Sequence, residues 1–132
     1  MGLGLRLLLD THALLWIMSD SPKLSRAARS AIGRDGVQLI ISAVSAFEIT
    51  TKHRLGKLPE FGFIAADFPR ALADVDHQPL QVSMEHASFA GALQHGHKDP
   101  FDRLLIAQAR IERVPIISNE ALFDEFGVER VW

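Results

Sequence analysis

The stretch LRLLLDTHALLW, residues 5–16, decides the fold. Leu5–Leu9 is a short, nearly continuous apolar run. Asp10 closes it, and a helical pattern over His12–Met18 follows at once. A run apolar on both sides suits a parallel strand covered on both faces. Working outward, the same signal recurs at Val37–Ile41, Val114–Ile117 and Val128–Trp132, and more weakly at Leu80–Val82. Helical patterns lie between these runs: Pro22–Ile32, Ser45–Leu55, Ile64–Ala73, Met84–Leu93 and Asp99–Arg113. Ser21 is the expected N-cap before Pro22, Ser45 the expected N-cap of its helix, and Gly33 and Gly56 are stop signals. Alternating strands and helices predict an α/β fold, a three-layer α/β/α sandwich on a central, mostly parallel sheet. The 132 residues read as one domain, 1–132.

Composition narrows the function classes. With 14 Lys+Arg against 16 Asp+Glu the net charge is −2, so no global basic field announces a nucleic-acid binder. There is no Cys, which excludes a disulfide framework, thiol catalysis and thiolate zinc sites. No apolar run approaches the about 18–20 residues of a membrane helix. Asp10 and His12 interrupt the N-terminal apolar region and argue against a signal peptide. The expectation is a soluble, cytoplasmic protein without membrane attachment. Gly2 and Gly4 precede the first strand and form no phosphate-binding loop.

In parallel α/β sheets ligands sit beyond the carboxyl ends of the strands. Acidic residues fall there at four places. Asp10 ends the first strand, where it reads as an N-cap or as a group aimed at the crevice. Glu48, three residues after Ser45, fits a capping box or the same crevice. Asp99, before Pro100, reads as an N-cap, with Asp102 at the third helical position and Arg103 a possible counter-ion of Asp99. Glu120 follows the Val114–Ile117 strand as a first-turn acid, with Ser118 or Asn119 capping. Two carboxylates about 4 Å apart repel by roughly 4 kcal/mol at an effective dielectric near 20. A gathered cluster therefore demands protons or a cation. All-oxygen ligands suit Mg²⁺ or Mn²⁺, and a carboxylate-held ion in a crevice suits phosphodiester hydrolysis.

LLLDTHALLW, SAFEITTKHRLGKL, HKDPFDRLLIAQA, PIISNEALFDEFGV and the closing RVW, taken in order, resemble the PIN-domain ribonucleases. More narrowly they resemble VapC-type toxins of type II toxin–antitoxin pairs. The resemblance spans essentially the whole chain. It implies a Mg²⁺- or Mn²⁺-dependent endoribonuclease acting on RNA, with Asp10, Glu48 and Asp102 catalytic and Asp10, Asp99, Asp102 and Glu120 on the metal. Glu120 stands where the family usually has Asp. The resemblance also implies a cognate antitoxin protein and a homodimer.

Thr11, Ser45, Lys52, Arg54 and Arg103 are the candidate substrate-binding residues. Lys52, His53, Arg54 and Lys57 form the densest basic stretch, suited to phosphate contact or to a solvated helix face. His12, two residues after Asp10 and near the proposed site, reads as a packing or capping residue or as a substrate contact, His95 and His97 lack the partners of a zinc site, and Trp16, Phe47, Phe68 and Trp132 are expected in the core or an interface. A phosphatase with Asp10 as nucleophile would need a second Asp at His12. The alternative reading is a catalytically weak PIN-fold module that binds RNA or an antitoxin.

Overall fold

The computed structural model describes residues 5–132; Gly2 and Gly4 lie outside the described residues. Five strands, β1 (Arg6–Leu9), β2 (Gln38–Ser42), β3 (Gln78–Leu80), β4 (Ile116–Ile117) and β5 (Arg130–Val131), form one sheet in the order β3-β2-β1-β4-β5. Every pairing is parallel. Helices α1 (Thr11–Met18), α2 (Arg26–Ile32), α3 (Ala43–Arg54), α4 (Gly62–Ala65), α5 (Phe68–Ala71), α6 (Met84–Ala92) and α7 (Pro100–Glu112) cover it.

The double-sided apolar strands explain the layering. Leu7 and Leu9 of β1 point to one face, packing with Leu14 and Ile49. Leu8 points to the other, packing with Ile106 and Phe123. The architecture is the expected α/β/α sandwich. Strand order reverses at β1: the chain moves outward through β2 and β3, then crosses back to place β4 on the other side of β1. Ligand crevices open at such switch points.

Three local expectations are corrected. Helix α2 starts later than Pro22, because Ser25 rather than Ser21 accepts the capping bond, from the Ala28 amide at 3.1 Å. The helix expected over Ile64–Ala73 is two short ones, α4 and α5, divided where Asp67 caps a new start ahead of Pro69. Helix α3 is capped by Ser42, not Ser45: β2 runs into the helix without a loop, and the Ser42 hydroxyl accepts from the Val44 amide at 3.0 Å. Ser45 is thus already helical and Glu48 lies one turn deeper, so the two form no capping box.

Candidate metal centre

Four elements deliver the acids to one place. Asp10 leaves β1 and caps α1, accepting from the Ala13 amide at 2.7 Å, while its own amide donates to the Ile117 carbonyl at 3.0 Å. Both readings of Asp10 are therefore realised in one residue. Glu48 projects from α3 and is 3% exposed. Asp99 caps α7, accepting from the Phe101 and Asp102 amides at 2.9 and 3.2 Å, and this cap sets Asp102 in the first turn. Glu120, after β4, is the N-cap residue of a 3₁₀ segment (Ala121–Phe126) rather than a first-turn acid, and it is exposed. These five carboxylates line a single cavity of about 80 Å³, shared with Thr11, His12 and Lys52.

With Asp10 and Glu48 buried and Asp99 and Asp102 half-buried, the gathered negative charge has electrostatic consequences. Desolvation pushes the Asp10 carboxyl up to about 6, against hydrogen bonding from Ser118 and Ala13. Asp102 is also raised, first by burial and then by the charges of Asp99 and Glu48, although a hydrogen bond from His97 opposes them. For Lys52, burial works to lower the pKa, but the hydrogen bond and charge of Glu48 outweigh it, with Asp99 and Asp102 adding to the rise. Lys52 is thus firmly cationic. It is ion-paired with one Glu48 oxygen; the other, Oε1, is buried without a hydrogen-bond partner.

An unpartnered buried carboxylate oxygen is costly unless a counter-charge completes it. Among the described residues no three carboxylate or imidazole groups stand together as a ready ligand set. Three of the acids have protein partners instead: Glu48 has Lys52, Asp102 has His97, and Asp10 has the Ala13 amide. The donor set fits a hard divalent ion nonetheless. It is anionic and all-oxygen, it holds an orphaned oxygen, and two of its acids have raised pKa values that a nearby cation would reverse.

The substrate-binding candidates separate. Thr11 and Lys52 line the cavity. Ser45 does not: it is fully buried behind Thr11, their hydroxyls 3.0 Å apart, so it supports the wall instead of touching a ligand. Arg54 lies at the exposed end of α3, outside the cavity. Arg103 is corrected more sharply. Its guanidinium neither reaches into the cavity nor pairs with the Asp99 carboxylate; it bonds five backbone carbonyls between Ala90 and His97. His12 lies on the cavity wall, near the acids, with its ring tilted against Trp16. His97, which lacks zinc-site partners by its spacing, brings Nε2 to 2.9 Å from Asp102 Oδ2. Its one sequence signal is its place five residues before Asp102 in HKDPFD. Phe47, expected in the core or an interface, is 64% exposed.

These features define a parallel α/β domain with an anionic, oxygen-lined pocket at its switch point. The PIN domain family profile matches residues 7–129, and the chain belongs to that family. Its fold is similar to VapBC2 from Rickettsia felis bound to a promoter DNA fragment, at 14% identity over 97% of this chain and 100% of that one, with a TM-score of 0.67. It is also similar to VapBC-1 from nontypeable Haemophilus influenzae (13% identity, 96% of each chain, TM-score 0.65). A third likeness is to FitAcB from Neisseria gonorrhoeae (16%, 94% and 95%, TM-score 0.59). No curated protein matches the sequence. At identities this low the structural likeness establishes the fold.

Proposed function

We propose that this chain is a Mg²⁺- or Mn²⁺-dependent endoribonuclease and the toxin of a toxin–antitoxin pair. The observation that carries the reading is the buried, unpartnered Oε1 of Glu48, a residue that lines the same cavity as Asp10 and Asp102. Asp10, Glu48 and Asp102 would hold the ion, with Asp99 and Glu120 at the same cavity. When bound, the ion would supply a water of lowered pKa and neutralise charge developing on the phosphate. The protein's own part is placement. The β1 and β4 ends fix Asp10, the Asp99 cap fixes the start of α7, and the Thr11–Ser45 hydroxyl pair stiffens the wall. Lys52 keeps a positive charge at the cavity for an incoming phosphate.

The proposed partners follow from membership of the family and from the solved neighbours, whose descriptions include VapBC and a toxin–antitoxin complex from Klebsiella pneumoniae. A cognate antitoxin and a homodimer need apolar surface, and Phe47, Phe63 and Leu55 are 64%, 59% and 54% exposed. The proposed site of action is the cytoplasm; among the described residues no helix is long and apolar enough to cross a membrane.

The deciding experiment sequences RNA 5′ ends after a short pulse of expression, with Asp10→Asn as control. It is paired with cleavage of the same RNA in vitro with and without EDTA. New ends with the wild type alone, abolished by EDTA, support the proposal. Cleavage that persists in both Asp10→Asn and EDTA removes it, whereas RNA or antitoxin binding without cleavage favours the non-catalytic module.

A further inference from the structure

Arg103 and Asp102 are adjacent on α7, yet they serve opposite sides of one structure. The Arg103 Nε donates to the Ala90 carbonyl at 3.0 Å, and Nη1 donates to His95 and His97 carbonyls at 2.9 Å each. Nη2 donates to the Leu93 carbonyl at 2.7 Å and the Gly91 carbonyl at 3.4 Å. A guanidinium has five N–H donors in a planar fork, and here they all serve one segment. Several of these carbonyls end α6, where the last turn has no intrahelical donors and a cation is favoured. Arg103 therefore straps down the connection from α6 to α7.

Within that connection the His97 amide donates to His95 Nδ1 at 3.0 Å. An accepting Nδ1 puts the ring proton of His95 on Nε2, which meets Glu125 at 3.0 Å, and the ring stacks on Phe126 with centroids 4.2 Å apart. The connection is thus held by Arg103, by the His95 ring and by Phe126. What it presents is His97 Nε2, 2.9 Å from Asp102 Oδ2. An ionised carboxylate only accepts, so the proton is on Nε2, and Oδ1 is left outside this bond.

We infer that His97 and Arg103 are positioning residues of the acid cluster: Arg103 shapes the turn that holds His97 against Asp102 and so fixes the carboxylate that faces the cavity. This rests on the reading of the cavity as a divalent-cation site. Partners behind a metal ligand set its orientation, and their loss commonly costs about 10–100-fold in affinity.

The test uses the full chain and Mn²⁺ alone as probe, titrated calorimetrically, alongside imidazole ¹⁵N spectra of the metal-free protein. His97→Leu should weaken Mn²⁺ binding by about 10–100-fold while the metal-free melting temperature changes little. His97→Gln, whose amide restores a donor near the Nε2 position, should recover most of the loss. Arg103→Lys keeps the charge but not the fork, and should weaken binding in the same direction while blurring the Nε2-protonated signature of His97. Wild-type Mn²⁺ binding with His97→Leu equal to wild type overturns the positioning role alone. A wild type that binds no Mn²⁺ overturns the cation reading beneath it, even if the metal-free His97 spectrum is as expected.

Discussion

The Asp10 amide donates to the Ile117 carbonyl at 3.0 Å, tying the carboxyl end of β1 to that of β4 where the strand order reverses. This bond holds the carboxylate of Asp10 in a buried position at the crevice that the topology opens. Asp10→Asn keeps an oxygen acceptor for the Ala13 amide and removes only the charge. RNA cleavage should fall about 100-fold or more, the equivalent of about 3 kcal/mol of lost charge stabilisation, with the fold intact by circular dichroism. Unchanged cleavage by the folded variant would remove Asp10 from the chemistry.

The same residue sets a pH dependence of stability. Its carboxyl lies at about 6 in the fold against an ordinary 3.8, so the folded state disfavours the ionised form by about 3 kcal/mol. The unfolded chain releases this proton more readily than the fold does. The penalty is therefore absent below about pH 4, grows between about 4 and 6, and is complete above about 6. Metal-free wild type should lose stability relative to Asp10→Asn across that window, measured by urea unfolding at each pH. Parallel curves for the two proteins would show that the burial cost is not felt.

How much of this was legible depends on whether the signal was local. The β1 strand and Asp10 were readable because Leu7, Leu8 and Leu9 must be apolar on both faces, and the start of α7 because Asp99-Pro100 is a local cap. The start of α3 was not, since Ser42 and Ser45 are equally good caps by type. Tertiary contacts separate them: Ser45 meets Thr11, while Ser42 ends β2 and bonds Gln108. Strand β3 lies two residues before the expected Leu80–Val82, at Gln78–Leu80, because a three-residue edge strand containing Pro79 carries little apolar signal. The roles of Arg103 and His97 depend on an irregular connection whose course no periodicity encodes.

Divalent ions should link to that titration. Mn²⁺ competes with the proton on Asp10, so its binding should weaken as pH falls through about 6. At pH 7 a saturating excess of 100 times the dissociation constant should add about 2.7 kcal/mol of stability. At pH 5 the rise in melting temperature should be much smaller. Equal shifts at both values would separate metal binding from Asp10.

Ser45 and Thr11 share a buried hydroxyl pair 34 residues apart in sequence. Ser45→Ala leaves the Thr11 hydroxyl without this partner and should cost about 1–2 kcal/mol of stability. Because Ser45 does not reach the cavity, KM for RNA should stay within about twofold, unlike that of a phosphate-contacting residue. A large rise in KM with stability unchanged would return Ser45 to the substrate.

Lys52 and Glu48 test whether the cavity needs a cation of some kind. Lys52→Met removes the ammonium from a buried carboxylate whose other oxygen is already unpartnered. The metal-free protein should lose about 1–3 kcal/mol, discounted because Lys52 is partly exposed. Adding Glu48→Gln to Lys52→Met should restore most of it, since the uncompensated charge is then gone. Saturating Mn²⁺ should stabilise Lys52→Met more than wild type, because the ion meets a carboxylate with no competing ammonium. If Lys52→Met is as stable as wild type without metal and gains no more from Mn²⁺, Glu48 is not a carboxylate in need of a counter-charge.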